Sequence, residues 1–350
     1  MEREDIELLL DTARRWFGAN HPLEARVAAF RSGHVQDAAA WPQMAELGWL
    51  GLSLPVEAGG FGAGHAATFE LIREAGRDAR PETLDLHLVL APIVAKALPA
   101  QAEALGSGAM RIGMADRAQG DDAARYDVAG LLDGRVGTVL GGAHATHLLV
   151  PVACDGEPEL LLVDLQAPGV SRSDARLVDG RPAPQFSFRA TPVQTVEGDA
   201  VAQRALDLAA AAQVADSAGV LDAAFSLTLD YLKQRVQFGK PLSAQQAVQH
   251  KMAEIFCDLQ QLLALAGRVA AELDAAPEGP WPTLAPAKSF LGRRALRAAG
   301  QLIQVSGGIA VTEEYKLTHF YRRLHVAATL FGSAETQLAR IDVREQLLAA

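Results

Sequence analysis

The sequence predicts an α+β chain in which a small β domain separates two helical blocks, because its hydrophobic period changes twice. Apolar residues recur at helical steps from Glu2 to about Leu105, alternate at strand spacing from about Arg111 to Ala200, and return to helical steps after Gly198. These changes divide the chain into an N-terminal helical domain over 1–107, a central β domain over 108–198 and a C-terminal helical domain over 199–350. At 350 residues the chain is long for a single core, and its 49% apolar content is ample material for two or three packed units.

In the first block, Ile6, Leu9, Leu10, Ala13 and Phe17 share one face of a helix that Asn20-His21-Pro22 ends. A short helix from Pro42 to Gly48 follows, then an apolar run, a Gly-rich loop up to Gly64 and a helix through Ala79. Gly59-Gly60 is not followed by Lys-Ser/Thr, which excludes a P-loop. Residues 81–104 supply further helix. In the second block, 148–152 and 160–163 flank Asp155-Gly156 and predict a hairpin, while Phe186 and Phe188 alternate with Ser187. In the third, Leu206, Ala210, Val214, Leu221, Phe225 and Leu229 predict one long helix ending near Gln234. Ser243 is the predicted N-cap of the next, whose Val248, Met252, Ile255, Leu259, Leu262, Ala266 and Val269 form its stripe. The stretch 277–286, rich in Pro, breaks that block. A later helix ends at Ser306 against Gly307-Gly308, and Thr312 opens a new segment.

A net charge of −10 and a pI near 5.4 argue against a nucleic-acid partner, whose phosphates demand a concentrated basic surface. Acidic residues stand where a secretory signal would carry bases, and no apolar run reaches the ~20 residues of a membrane span. The expected location is the cytoplasm, with no membrane partner. Cys154 and Cys257 have no metal-type spacing and read as reduced structural thiols. His250, His319 and His325 read as surface or interface polar groups, without the spacing of a metal site.

Two turns stand out chemically. Across 233–255 the chain passes from helix to helix through Phe238-Gly239-Lys240-Pro241, with Arg235, Gln237, Gln245 and Gln246 at the junction. A guanidinium fork beside amides suits a phosphate or pyrophosphate, although an arginine here also reads as a cap on the preceding helix's carbonyls. Gly307-Gly308 admits close approach of a phosphate or an adenine edge, and reads equally as an ordinary helix terminator.

The stretches R-V-Q-F-G-K-P-L, Q-A-V-Q-H-K-M-A-E, Q-V-S-G-G-I-A-V-T-E-E-Y and M-A-E-L-G-W-L-G-L-S-L-P-V-E-A-G-G-F-G together resemble the acyl-CoA dehydrogenase family, over nearly the whole length. That resemblance implies an N-terminal helical domain, a central small β domain and a C-terminal four-helix bundle. It implies a homo- or hetero-tetramer with FAD at the dimer interface, an acyl-CoA substrate, a role in lipid or steroid catabolism and an acceptor of the electron-transfer flavoprotein type. Arg235, Phe238, Gln304, Gly307 and Gly308 would then reach a neighbouring subunit's flavin; Gln245, Gln246, Thr312 and Glu314 complete the expected cofactor-binding set.

The implied reaction, α,β-desaturation of a thioester, needs a desolvated carboxylate as base. Of the two positions where relatives carry that Glu, one is Phe331 here and the other Ala209, and neither side chain accepts a proton. Glu335 is the first displaced candidate, followed by Glu313, Glu314 and Asp207. The hydroxyl-and-acid pattern that contacts the flavin ring in the family is likewise replaced across 114–127. The expectation is a base-lacking subunit that completes a partner's FAD site. The alternatives are a self-sufficient homotetramer using Glu335, and a non-catalytic scaffold.

Overall fold

Helices come first and last, and the strands lie between them, in a computed structural model that describes residues 3–20, 22–32, 39–116, 123–126, 130–154, 157–198 and 200–341. The leading helices are α1 (Arg3–Asn20), α2 (Leu23–Ser32), α3 (Ala40–Glu46), α4 (His65–Arg77), α5 (Leu84–Ala97) and α6 (Ala102–Gly106). The strands are β1 (Ile112–Ala115), β2 (Arg125–Tyr126), β3 (Leu131–Val136), β4 (Val139–Leu140), β5 (His147–Cys154), β6 (Glu157–Asp164), β7 (Ser171–Ser173), β8 (Gln185–Pro192) and β9 (Gln194–Thr195). Then come α7 (Val201–Gln234), a two-strand ribbon of β10 (Val236–Gln237) and β11 (Lys240–Pro241), α8 (Gln246–Ala275), α9 (Leu284–Phe290), α10 (Leu296–Ser306), α11 (Lys316–Thr329) and α12 (Ala334–Leu338).

The chain forms two compact units. One comprises Ala28–Thr68 and Pro81–Ala212; the other comprises Glu4–Val27, Phe69–Arg80 and everything from Gln213 onward. In the first, a five-stranded sheet of order β4-β1-β5-β6-β9 packs with a four-stranded sheet of order β2-β3-β8-β7. β5 and β6 pair antiparallel from His147↔Asp164 to Cys154↔Glu157, in line with the expected hairpin; its Asp155-Gly156 turn lies outside the described residues. Alternate residues explain the sandwich: Leu148 and Val150 on β5, Leu161 and Val163 on β6, and Phe186 and Phe188 on β8 share one core. Leu149, on the other face of β5, is buried too, and α5 packs against β1. All but three of α5's residues are buried, as befits a helix that is apolar on nearly every side.

In the second unit α7, from Gln213 onward, meets α4, α8 and α11. Residues 213–221 of α7 are all buried, and the small Ala215, Ala218 and Gly219 among them let a neighbouring helix approach closely. At the α4 crossing that approach is extreme: a Cβ on Gly219 would stand 2.0 Å from the Arg73 carbonyl oxygen, and one on Gly76 would stand 2.3 Å from that of Asp216. α11 is tied to α7 by a bidentate pair, Arg323 Nε and Nη2 to the Asp216 carboxylate at 2.8 and 2.9 Å, both side chains almost fully buried. α1 is tied to α4 by Arg14 and Glu74 at 2.9 Å.

Three local expectations change. α8 begins at Gln246 with Gln245 as N-cap, because Ser243 is taken up in a 3-10 turn over Leu242–Ala244. His319 is buried, 4% exposed, with Nε2 3.0 Å from the Glu313 carbonyl oxygen, so it is a core histidine and not a surface group. Cys257 is exposed on α8, so packing does not account for it.

Candidate functional site

α7 ends in a hairpin that helical periodicity alone did not announce. Val236 and Gln237 pair with Pro241 and Lys240, and the two residues between them, Phe238 and Gly239, have φ of 53° and 79°. Positive φ at both central positions gives the turn that suits a two-residue hairpin. For Gly239 this is free; for Phe238 the left-handed backbone costs about 1 kcal/mol. That strained phenyl ring is 91% exposed, and neighbouring Val236 is 54% exposed. At that exposure, burial among the described residues does not offset the strain.

Arg235 is exposed, and among the described residues its guanidinium has no ion pair and caps no carbonyl of α7. The capping alternative is therefore not what the structure adopts. Gln245 is half-buried at the start of α8 and Gln246 is exposed beside it. α8 buries a single stripe that runs from Met252 to Leu273 and leaves its other face at the surface together with the polar turn.

The second turn begins where α10 stops. Gly307 has φ 72° and ψ −153°, a conformation in effect reserved for glycine. A Cβ on Gly307 or on Gly308 would meet no atom within 4 Å. Gln304, Ile309, Val311, Thr312 and Glu314 are all exposed around them, and Thr312 Oγ1 donates to the Ile309 carbonyl at 3.0 Å. One contact joins the two turns' neighbourhoods: Tyr231, a turn before Arg235, and Tyr315, just past Thr312, have ring centroids 6.0 Å apart. Burial pushes the Tyr315 hydroxyl up to about 12, so it stays protonated and points to the Leu227 carbonyl at 3.5 Å. Sequence reasoning missed this tyrosine pair, whose signal was one aromatic just before the first polar turn and one just after the second.

The two positions where the resemblance led us to look for an acid are enclosed. Ala209 is 0% exposed and Phe331 is 4% exposed, the latter with φ 55°. The Phe331 turn is held by hydrogen bonds: buried Lys288 donates its Nζ to the carbonyls of Ala327 and Gly332 at 2.7 and 2.9 Å, and Gln337 Nε2 donates to that of Phe331 at 3.2 Å. A buried ammonium is tolerable here because it caps the carbonyl end of α11. The candidate acids lie in other settings. Glu335 is 74% exposed in the first turn of α12, 3.5 Å from Arg293. Hydrogen bonds from its own backbone amide and from Ser333 hold its carboxyl below the usual range, the reverse of a desolvated base. Glu313 is bound by Arg322 at 2.6 Å, and Asp207 accepts from Gln203 Nε2 at 2.9 Å. Among the described residues no cluster of His, Cys, Asp or Glu could hold a metal, and no helix is long and apolar enough to cross a membrane.

Two family models match this chain: the N-terminal domain of acyl-CoA dehydrogenases over residues 3–106 and their C-terminal domain over 197–345. The chain belongs to the acyl-CoA dehydrogenase family. Acyl-CoA dehydrogenases are FAD-dependent oxidoreductases acting on CH–CH bonds. The chain is 27% identical to acyl-CoA dehydrogenase IpdE2 of Mycolicibacterium smegmatis, over 97% of this chain and 98% of that one. It is 32% identical to acyl-CoA dehydrogenase FadE34 of Mycobacterium tuberculosis over 87% of its own length but spans only 41% of FadE34. The Tcur3481-Tcur3483 steroid ACAD superposes with a TM-score of 0.90 at 28% identity, over 99% of both chains. The ChsE4-ChsE5 complex of Mycobacterium tuberculosis superposes equally well, at 0.90, with 21% identity over 100% of this chain and 99% of that one, a likeness of fold.

The two exposed turns fit a flavin dinucleotide. A guanidinium with no ion pair among the described residues suits a pyrophosphate, a projecting phenyl ring offers an apolar face, and a glycine pair with open space leaves room for a cofactor's approach. β1 is a poorer fit on its own side, since Ile112–Ala115 are all buried and carry neither hydroxyl nor acid.

Proposed function

We propose that this chain is a base-lacking subunit of an acyl-CoA dehydrogenase and that it completes the FAD site of a different, base-carrying subunit. One contrast carries the reading. The residues suited to a neighbour's cofactor, Arg235, Phe238, Gly307 and Gly308, stand exposed and unexplained by internal packing, whereas both base positions are core residues, Phe331 and Ala209. The pairing of two names in the ChsE4-ChsE5 complex supports a heteromeric assembly, and the steroid ACAD supports a bulky acyl-CoA as substrate.

In this reading FAD, when bound, supplies the hydride acceptor for the β hydrogen of the thioester. This chain's residues bind and position. Arg235 neutralises pyrophosphate charge, Phe238 covers an apolar face of the cofactor, and the Gly307-Gly308 backbone offers its N–H groups. Gln245, Gln246, Gln304, Thr312 and Glu314 border the same surface. The α proton passes to a carboxylate of the partner, because none of this chain's own acids lies in a desolvated setting at the family's positions.

The test is to purify the chain alone and together with a second acyl-CoA dehydrogenase-like chain, recording visible flavin absorbance and acyl-CoA desaturation with an electron-transfer flavoprotein-type acceptor. Flavin and turnover are expected only in the mixture. Turnover by the chain alone, abolished by Glu335→Gln, would establish the self-sufficient homotetramer instead. Absence of flavin from every mixture would leave the fold as a scaffold.

A further inference from the structure

The unit that carries the sheets holds a cleft of about 110 Å³ lined by Trp41, Pro81–Thr83, Arg111, Ile112, Leu140–Gly141, His144 and Arg181–Pro182. Its cations are unequal. Arg181 is buried and already bound to Asp179 at 2.7 Å. Arg111 is half-buried, with its guanidinium carbon 5.2 Å from the centre of the Trp41 ring, and no carboxylate pairs with it among the described residues. Burial pushes its pKa down, as expected of a cation deprived of water without a counter-ion. The positive charges of Arg111 and Arg172, added to burial, also hold His144 below its usual range, so near neutrality His144 offers hydrogen bonds without charge.

The remaining wall is apolar except for Thr83 and Glu82. Gly141 has φ 78°, and a Cβ there would stand 2.8 Å from Thr83 Oγ1, so the glycine keeps room for that hydroxyl on the wall. We infer that this cleft binds a monocarboxylate with a short apolar body, its carboxylate on the Arg111 fork and its body against Ile112, Leu140 and Trp41. A planar guanidinium matches a planar carboxylate through two parallel hydrogen bonds. A single guanidinium in an otherwise largely apolar wall matches one negative charge better than the two of a phosphate dianion. The inference stands apart from the proposed flavin role, since no residue of the two exposed turns takes part.

The test is calorimetric titration of the full chain with butyrate, with inorganic phosphate and with 1-butanol, a neutral molecule of similar size. Butyrate should bind saturably, and at least roughly tenfold more tightly than either of the others. Arg111→Gln should weaken butyrate roughly tenfold, while Arg189→Gln, an exposed arginine of the same unit, should leave it unchanged. Butanol binding as tightly as butyrate, phosphate binding more tightly, an absence of saturable butyrate binding, or an unaltered affinity in Arg111→Gln would each overturn the assignment. The comparison with butanol decides the matter on the unsubstituted protein even if Arg111→Gln fails to fold.

Discussion

The glycines at the α4–α7 crossing and those of the Gly307-Gly308 turn are the same residue type in opposite circumstances. At Gly219 and Gly76 a Cβ would collide with a neighbouring backbone carbonyl, so the missing side chain serves the chain's own packing. At Gly307, Gly308 and Gly239 a Cβ would meet nothing within 4 Å. Positive φ explains 307 and 239, but Gly308 has neither a φ constraint nor a close neighbour in this chain. The lesson is that an unexplained small residue on a surface points outward, and the same logic covers strained, exposed Phe238 and Arg235, which has no ion pair among the described residues.

Substitutions can break this contrast, and the largest effect belongs to the closed side. Gly219→Ala should lower unfolding free energy by about 3 kcal/mol in urea titrations, since neither backbone at the crossing can yield cheaply. A similar loss is expected for Arg323→Ala, about 3 kcal/mol or more, because it leaves the Asp216 carboxylate buried without its partner. Neither change touches the outward-facing turns.

Acid should act on the closed side as well. His87 is fully buried on α5, with Nε2 3.1 Å from the Leu50 carbonyl oxygen, and burial lowers its pKa to about 4. The unfolded chain takes up this proton below about 6.5 while the folded one resists, so His87's contribution is complete above that pH and is lost as pH falls toward 4. The loss should approach about 3 kcal/mol, and replacing His87 by a neutral residue should flatten that part of a stability-versus-pH curve.

On the open side the expected effects move from stability to cofactor. In the mixed assembly, Arg235→Gln should cut flavin retention by roughly tenfold or more, and Gly308→Ala by somewhat less. Both should change the stability of the isolated chain by under about 0.5 kcal/mol, the range of exposed substitutions. Unfolding of Gly308→Ala as severe as that of Gly219→Ala would refute the outward reading. The smallest effect is expected of Glu335→Gln: turnover of the mixture should stay within roughly twofold, because a solvated carboxylate paired with Arg293 lacks the desolvated setting the proposed reaction asks of its base.

Much of this was legible in the chain. The changes of period marked where helices give way to strands, the runs 148–152 and 160–163 and the alternation of Phe186 and Phe188 with Ser187 marked strands of the sheet core, and Gln234 marked the end of α7. The polar character of both turns was visible too, as were Phe331 and Ala209 where an acid was looked for. The Tyr231–Tyr315 contact, the Lys288 cap on the Phe331 turn and the Arg111 cleft were not, because each joins residues distant along the chain.

Sequence by itself determined the order of elements and the faces they bury, since a period of 3.6 or 2 sets which side chains share a side. It left open how deep a side would lie and what it would meet. His319 and His250 sit on similar helical patterns, yet one is core and the other exposed, and Asp216 finds Arg323 107 residues away. Only the packed structure decided that, among the described residues, the Arg235 guanidinium caps no carbonyl and a Cβ at Gly308 would meet no atom within 4 Å. Periodicity is a local property of the backbone, whereas burial and partnership depend on which surfaces close upon one another.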